Sequence, residues 1–111
     1  MMFKIVNIAI FASGGGSNAE AIIRKFKNSD RAKIGLIVTN NSNAGIIKKA
    51  ENHNIPIFIH SQEQETGSSL LEILKENQID FIVLAGYLRK ISPQLVDAYE
   101  GRIINIPCFV T

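Results

Sequence analysis

Three consecutive glycines, Gly14-Gly15-Gly16, stand between an apolar run, Ile5–Phe11, and a segment of helical periodicity, Asn18–Lys27. This feature constrains the chain most. A buried strand that turns sharply into a helix brings backbone N–H groups together at the helix's positive end. The rest of the sequence continues in the same alternation. Apolar runs rich in Ile and Val recur at Ile34–Thr39, Ile55–Ile59, Phe81–Ala85 and Arg102–Ile106. They are apolar on successive residues, as strands buried on both faces are. Between them lie helical patterns at Asn43–Asn52, Ser69–Asn77 and Pro93–Tyr99. Ile22, Ile23 and Phe26 share one stripe, and Leu70, Ile73 and Leu74 another.

Strict alternation of strand and helix predicts an α/β fold, an open, doubly wound parallel sheet with helices on both faces. The expected strand order is 3-2-1-4-5, which places the carboxyl ends of strands 1 and 4 at a switch point where ligands bind. The length of 111 residues suits a single domain, 1–111. Local punctuation agrees. Ser92-Pro93 reads as a cap followed by proline in the first turn, and Gly101 as that helix's stop. Ser69 and Glu72 have capping-box spacing. Pro56 places the third strand at a sheet edge.

Composition narrows the function. A net charge of +2 gives no footprint for nucleic acid. No apolar run approaches the ~20 residues of a membrane span, and no signal peptide is expected. With one cysteine, Cys108, the sequence offers neither an internal disulfide nor a cysteine zinc site. A cytoplasmic location is the expectation.

The glycine turn admits three readings. It could be a simple connection, although three glycines cost more backbone entropy than such a turn requires. Gly14-x-Gly16-x-x-Ala19 also fits a dinucleotide fingerprint, but strand 2 ends in Thr39-Asn40-Asn41 without the acidic residue that would hold a ribose. The favoured reading is a phosphate monoester site formed by Gly16, Ser17 and Asn18. The sequence lacks the Gly-Lys-Ser/Thr of a nucleoside triphosphate loop.

A second motif follows strand 4: Ala85-Gly86-Tyr87-Leu88-Arg89-Lys90-Ile91-Ser92-Pro93. Leu88, Ile91 and Val96 are placed to line an apolar slot, with backbone groups of 88–91 available to a flat heterocycle. By itself this reads rather as an ordinary strand-to-helix loop with core leucines and a solvated Arg89-Lys90 pair. Together with the glycine turn and Gly101-Arg102-Ile103-Ile104-Asn105-Ile106, however, the chain resembles the phosphoribosylglycinamide formyltransferases of purine biosynthesis in motif, order and spacing.

That resemblance covers the chain up to Ile106 and implies an amino-terminal part of the formyltransferase fold. It implies transfer of a formyl group from 10-formyltetrahydrofolate to the amine of glycinamide ribonucleotide, with no metal. By resemblance, Gly16, Ser17 and Asn18 hold the ribonucleotide phosphate. Leu88, Arg89, Lys90 and Ile91 border the folate, with Val96 nearby, and Asn105 is the catalytic asparagine. The family continues Asn-x-His-Pro, whereas this chain reads Asn105-Ile106-Pro107. The family's histidine is missing, and its aspartate lies in the portion not present here. The isolated chain is therefore expected to be inactive, with a non-catalytic ribonucleotide-binding module as the alternative. His53, His60 and Cys108 are not expected to substitute. Small molecules are the expected partners, with neither nucleic acid nor membrane, and an uncovered sheet edge invites self-association.

Overall fold

In the computed structural model, described over residues 5–14, 17–59, 68–87 and 91–106, five strands alternate with four helices. The elements are β1 (Val6–Phe11), α1 (Ser17–Phe26), β2 (Ala32–Thr39), α2 (Gly45–Asn52), β3 (Ile57–Ile59), α3 (Ser68–Glu76), β4 (Phe81–Ala85), α4 (Pro93–Ala98) and β5 (Ile103–Ile106). All neighbouring strands pair in parallel, in the order β3-β2-β1-β4-β5. The expected architecture and strand order are those observed.

The sheet separates two cores. On one face, Ile8, Ile10 and Ile37 pack with Ala19 and Ile23 of α1 and with Ile46 and Ala50 of α2. On the other, Phe11, Leu36, Val38 and Ile82 pack with Leu70 and Leu74 of α3 and with Leu95 of α4. The leftward crossovers β1–β2 and β2–β3 thus put their helices on one side, and the rightward crossovers put theirs on the other. This is the consequence of uniform right-handed connections.

A register shift between Ile8 and Ala9, opposite Ile34 and Leu36, leaves Gly35 as the extra residue of a bulge in β2. The bulge sends Leu36 to the face opposite Ile34, so that Ile37 points back toward α1 and α2.

Two helix ends are closed by a device that the sequence reading did not anticipate. Asn54, at φ 58°, follows α2, where Ile55 N–H donates to the Ala50 carbonyl and Asn54 N–H to that of Glu51. Gln78, at φ 56°, follows α3, where Ile79 N–H donates to Leu74 and Gln78 N–H to Lys75. Both are Schellman closures with a non-glycine residue in the left-handed region. Because Ile55 completes α2 in this way, β3 begins only at Ile57, two residues later than the apolar run suggested. Pro56 still contributes to the sheet edge, since its carbonyl accepts from Ile37 N–H at 2.9 Å.

At α4 the expectation holds in detail. Ser92 Oγ accepts from Leu95 N–H at 3.3 Å, proline occupies the first turn, and Gly101 has φ 74°. The expected cap at Ser69 does not: α3 already begins at Ser68, so Ser69 is a helical residue.

Candidate ligand site at the switch point

β1 and β4 are neighbours, and the chain leaves their carboxyl ends in opposite directions, toward α1 and toward α4. Two segments, 12–14 and 86–87, therefore leave neighbouring strands on diverging paths, the place where doubly wound sheets hold ligands. The first is anchored at both ends. Ala12 N–H donates to Val38 at 2.9 Å, and the Gly14 carbonyl accepts from Ile46 N–H, in the first turn of α2, at 3.3 Å. Ser13 is buried and Gly14 is exposed, with open space where its Cβ would lie. Ser17 opens α1, a helix of 10 residues, and Asn18 is half-buried in its first turn. The structure thus places Ser17 and Asn18 at the helix entrance. Gly16 lies outside the described residues, as does Gly15.

The wall on the β2 side is built from amide and hydroxyl groups. Thr39 is fully buried, and its Oγ1 accepts from Asn41 N–H at 3.3 Å. Asn41 Oδ1 accepts from Asn43 N–H at 2.9 Å, and its carbonyl accepts from Ala44 N–H, which fixes the approach to α2. Asn40 Oδ1 is buried and has no hydrogen-bond partner among the described residues. No carboxylate stands in this stretch. The arrangement lacks the acceptor that a dinucleotide ribose would need.

The second loop leaves β4 through Gly86, at φ 73°, a conformation glycine adopts without penalty. Tyr87 then turns back over β1. Its ring meets that of Phe11 edge to face, with centroids 5.2 Å apart and planes at 77°. Burial raises the Tyr87 phenol above its usual range. This tyrosine ties the exit of β4 to the end of β1, a contact that the sequence reading did not assign. Its position one residue after the Gly86 exit was the available signal. Ile91 packs beside it on the α3–α4 face, and Val96 is exposed on α4. Leu88, Arg89 and Lys90 lie outside the described residues.

Asn105 sits on β5 opposite Leu84, and Leu84 is opposite Phe11 on β1. One row of the sheet therefore runs from beneath the glycine turn to Asn105. The Asn105 side chain is exposed. His53 caps the far end of α2, and its N–H donates to Lys49 and Ala50. It lines a cavity with Phe26, Lys33 and Ile55 near the amino ends of the strands, away from the two loops. His60 and Cys108 lie outside the described residues. Among the described residues, no three His, Cys, Asp or Glu side chains gather where they could hold a metal, and no helix is long and apolar enough to cross a membrane.

A doubly wound sheet with a glycine turn, a second loop at the switch point and an amide-bearing fifth strand defines a class, and the comparisons agree on which. A formyl transferase family model matches residues 6–108, and the chain belongs to that family. Within it, the chain is 39% identical over 104 residues to a phosphoribosylglycinamide formyltransferase from Bacillus subtilis, covering 88% of this chain and 53% of that relative. A crystal structure of glycinamide ribonucleotide transformylase 1 from Geobacillus kaustophilus matches with a TM-score of 0.86 and 40% identity, covering 92% of this chain and 57% of that one. Phosphoribosylglycinamide formyltransferase from Brucella melitensis matches at 0.85 with 34% identity, over 92% of this chain and 56% of that chain. The chain spans about half the length of the relatives it matches.

Proposed function

We propose that this chain is the ribonucleotide-binding part of a phosphoribosylglycinamide formyltransferase. The reaction moves a formyl group from 10-formyltetrahydrofolate to the amine of glycinamide ribonucleotide in purine biosynthesis, in the cytoplasm. The observation that carries this reading is the convergence of the α1 entrance, the Gly86 loop and Asn105 along neighbouring strands β1, β4 and β5.

Gly16, Ser17 and Asn18 cradle the phosphate. A dianion gains both from unpaired helix N–H groups and from the helix dipole. Leu88, Arg89, Lys90 and Ile91 border the folate, with Val96 on the adjoining face of α4. Amine attack on the formyl carbon builds negative charge on oxygen, and the Asn105 amide is the donor aimed at it. No metal takes part in this scheme. The proton transfers require a general base and acid, worth about 10²–10⁴-fold. Where the family has its histidine, after Asn-x, this sequence has Pro107. The isolated chain therefore binds ribonucleotide without appreciable turnover, which makes it a binding module when alone. Self-association through the edge of β5 that no described residue pairs belongs to the same proposal.

Titration calorimetry with glycinamide ribonucleotide tests the cradle. Asn18→Ala removes a hydrogen bond to a charged group, worth about 1.5–3 kcal/mol, or roughly 10- to 100-fold in Kd. Unchanged affinity in that variant contradicts the phosphate placement. A formyl-transfer assay on the same samples separates binding from chemistry.

A further inference from the structure

α1 and α2 cover the same face of the sheet, and both run away from the switch point. Their carboxyl ends, with the amino end of β2, enclose a cavity of about 260 Å³. Its floor is apolar. Phe26 closes α1, Ile34 lies near the start of β2, and Ile55 follows α2; each packs against the core yet stays only partly buried. Its rim is basic. Lys27 and Lys33 are exposed, and the half-buried His53 stands with them. The remaining polar lining is amide, from Asn52 and Asn54, and no carboxylate is among the lining residues.

An ordinary role for cations at such a place is to hold the last carbonyls of the helices. Here backbone donors take those carbonyls. At α1, Lys27 N–H donates to Arg24 and Ser29 N–H to Phe26. At α2, His53 N–H donates to Lys49 and Ala50, Asn54 N–H to Glu51, and Ile55 N–H to Ala50. Among the described residues, the Lys27 and Lys33 ammonium groups make neither an ion pair nor a hydrogen bond. Asn54, at φ 58°, belongs to the closure that sets the 52–55 wall in place. The cavity therefore joins uncommitted positive charge to apolar surface that water still reaches.

Such a pairing suits a small organic anion. Its charged group gains from the ammonium groups, and its body displaces water from the apolar floor. The volume lies below the ~300–1,000 Å³ of sites for drug-sized ligands, which limits that body to about one ring. We propose that this cavity binds a small monocyclic carboxylate, its ring on Phe26, Ile34 and Ile55 and its carboxylate facing Lys27 and Lys33. The site is separate from the switch point. It lies at the opposite ends of α1 and α2 from Ser17 and from Ile46, whose N–H holds the Gly14 carbonyl. The inference does not rest on the ribonucleotide reading, and either can fail alone.

The probe is benzoate, titrated into the isotope-labelled 111-residue chain and followed by amide chemical shifts. The expected result is saturable binding in the millimolar range, with the largest changes at Lys27, Ile34 and His53–Ile55. Benzamide keeps the ring and removes the charge, and acetate keeps the charge and removes the ring. Each should bind at least fivefold more weakly than benzoate. Lys27→Ala combined with Lys33→Ala should weaken benzoate at least tenfold. That variant should keep the urea midpoint of the parent chain, because both side chains are exposed.

No saturable change with benzoate overturns the proposal. So does equal binding of benzamide or acetate, which needs no variant to test, and so does unchanged affinity in the double variant. Largest changes at Ser13, Gly14 and Asn18 put the anion at the switch point and equally overturn it.

Discussion

β2 and β5 are both apolar, yet they have different fates. Leu36, Ile37, Val38 and Thr39 of β2 are all buried, whereas none of Ile103–Ile106 in β5 is. β2 has a strand on each side, α1 and α2 on one face and the α3 core on the other. Among the described residues β5 has β4 alone as neighbour, and its Ile103 packs with the cluster that holds Leu95 of α4. Burial is thus a property of the surroundings, and an isoleucine contributes stability only where other groups exclude water from it.

The largest effect that would break this contrast is at Ile37, which has no exposed surface. Ile37→Ala should cost about 2–5 kcal/mol, read as a lower urea midpoint. A loss below about 1 kcal/mol would mean that the two strands are not as different as their burial indicates.

A middle-sized effect concerns how the covered face of the β4–β5 half is held. Tyr99 is 4% exposed, and its hydroxyl donates to the Ile79 carbonyl at 2.9 Å. The Arg102 guanidinium lies 5.0 Å from the centre of the same ring and donates to the Ala98 carbonyl. Tyr99→Phe leaves that carbonyl buried without its partner, and should cost about 1–2 kcal/mol in the same measurement. A neutral result would show that the Tyr99 hydroxyl adds nothing to the hold on α4.

The smallest effect sharpens the contrast from the other side. Ile104→Ala should change the stability of the isolated chain by no more than about 0.5 kcal/mol, because half of that side chain is already in water. Equal losses at Ile37 and Ile104 would mean that Ile104 is covered in solution.

The strand–helix alternation, the strand order and the switch point were legible because each rests on local pattern and on the handedness of connections. The Ser92 cap, the Gly101 stop and the edge position of β3 were legible for the same reason. The glycine turn pointed to the α1 entrance, and that entrance does lie beside the β4 exit. Other features could not be read from spacing. Asn54 and Gln78 close helices where glycine would be the usual signal, so neither announced itself. The Gly35 bulge is a two-strand event, visible only once Ile34 and Leu36 are seen against Ile8 and Ala9. The packing of Tyr87 depends on Phe11, on a strand far away in sequence.

Sequence alone determined which residues turn and which run as strands, because backbone sterics and hydrophobic periodicity act over a few residues. Tertiary structure decided what those residues face. It set Asn105 in one row with Leu84 and Phe11, and set Tyr87 against Phe11. It also left Ile104 half exposed while hiding Ile37. Those outcomes depend on contacts between segments distant along the chain, where excluding water is a collective act of several elements and no single stretch specifies it.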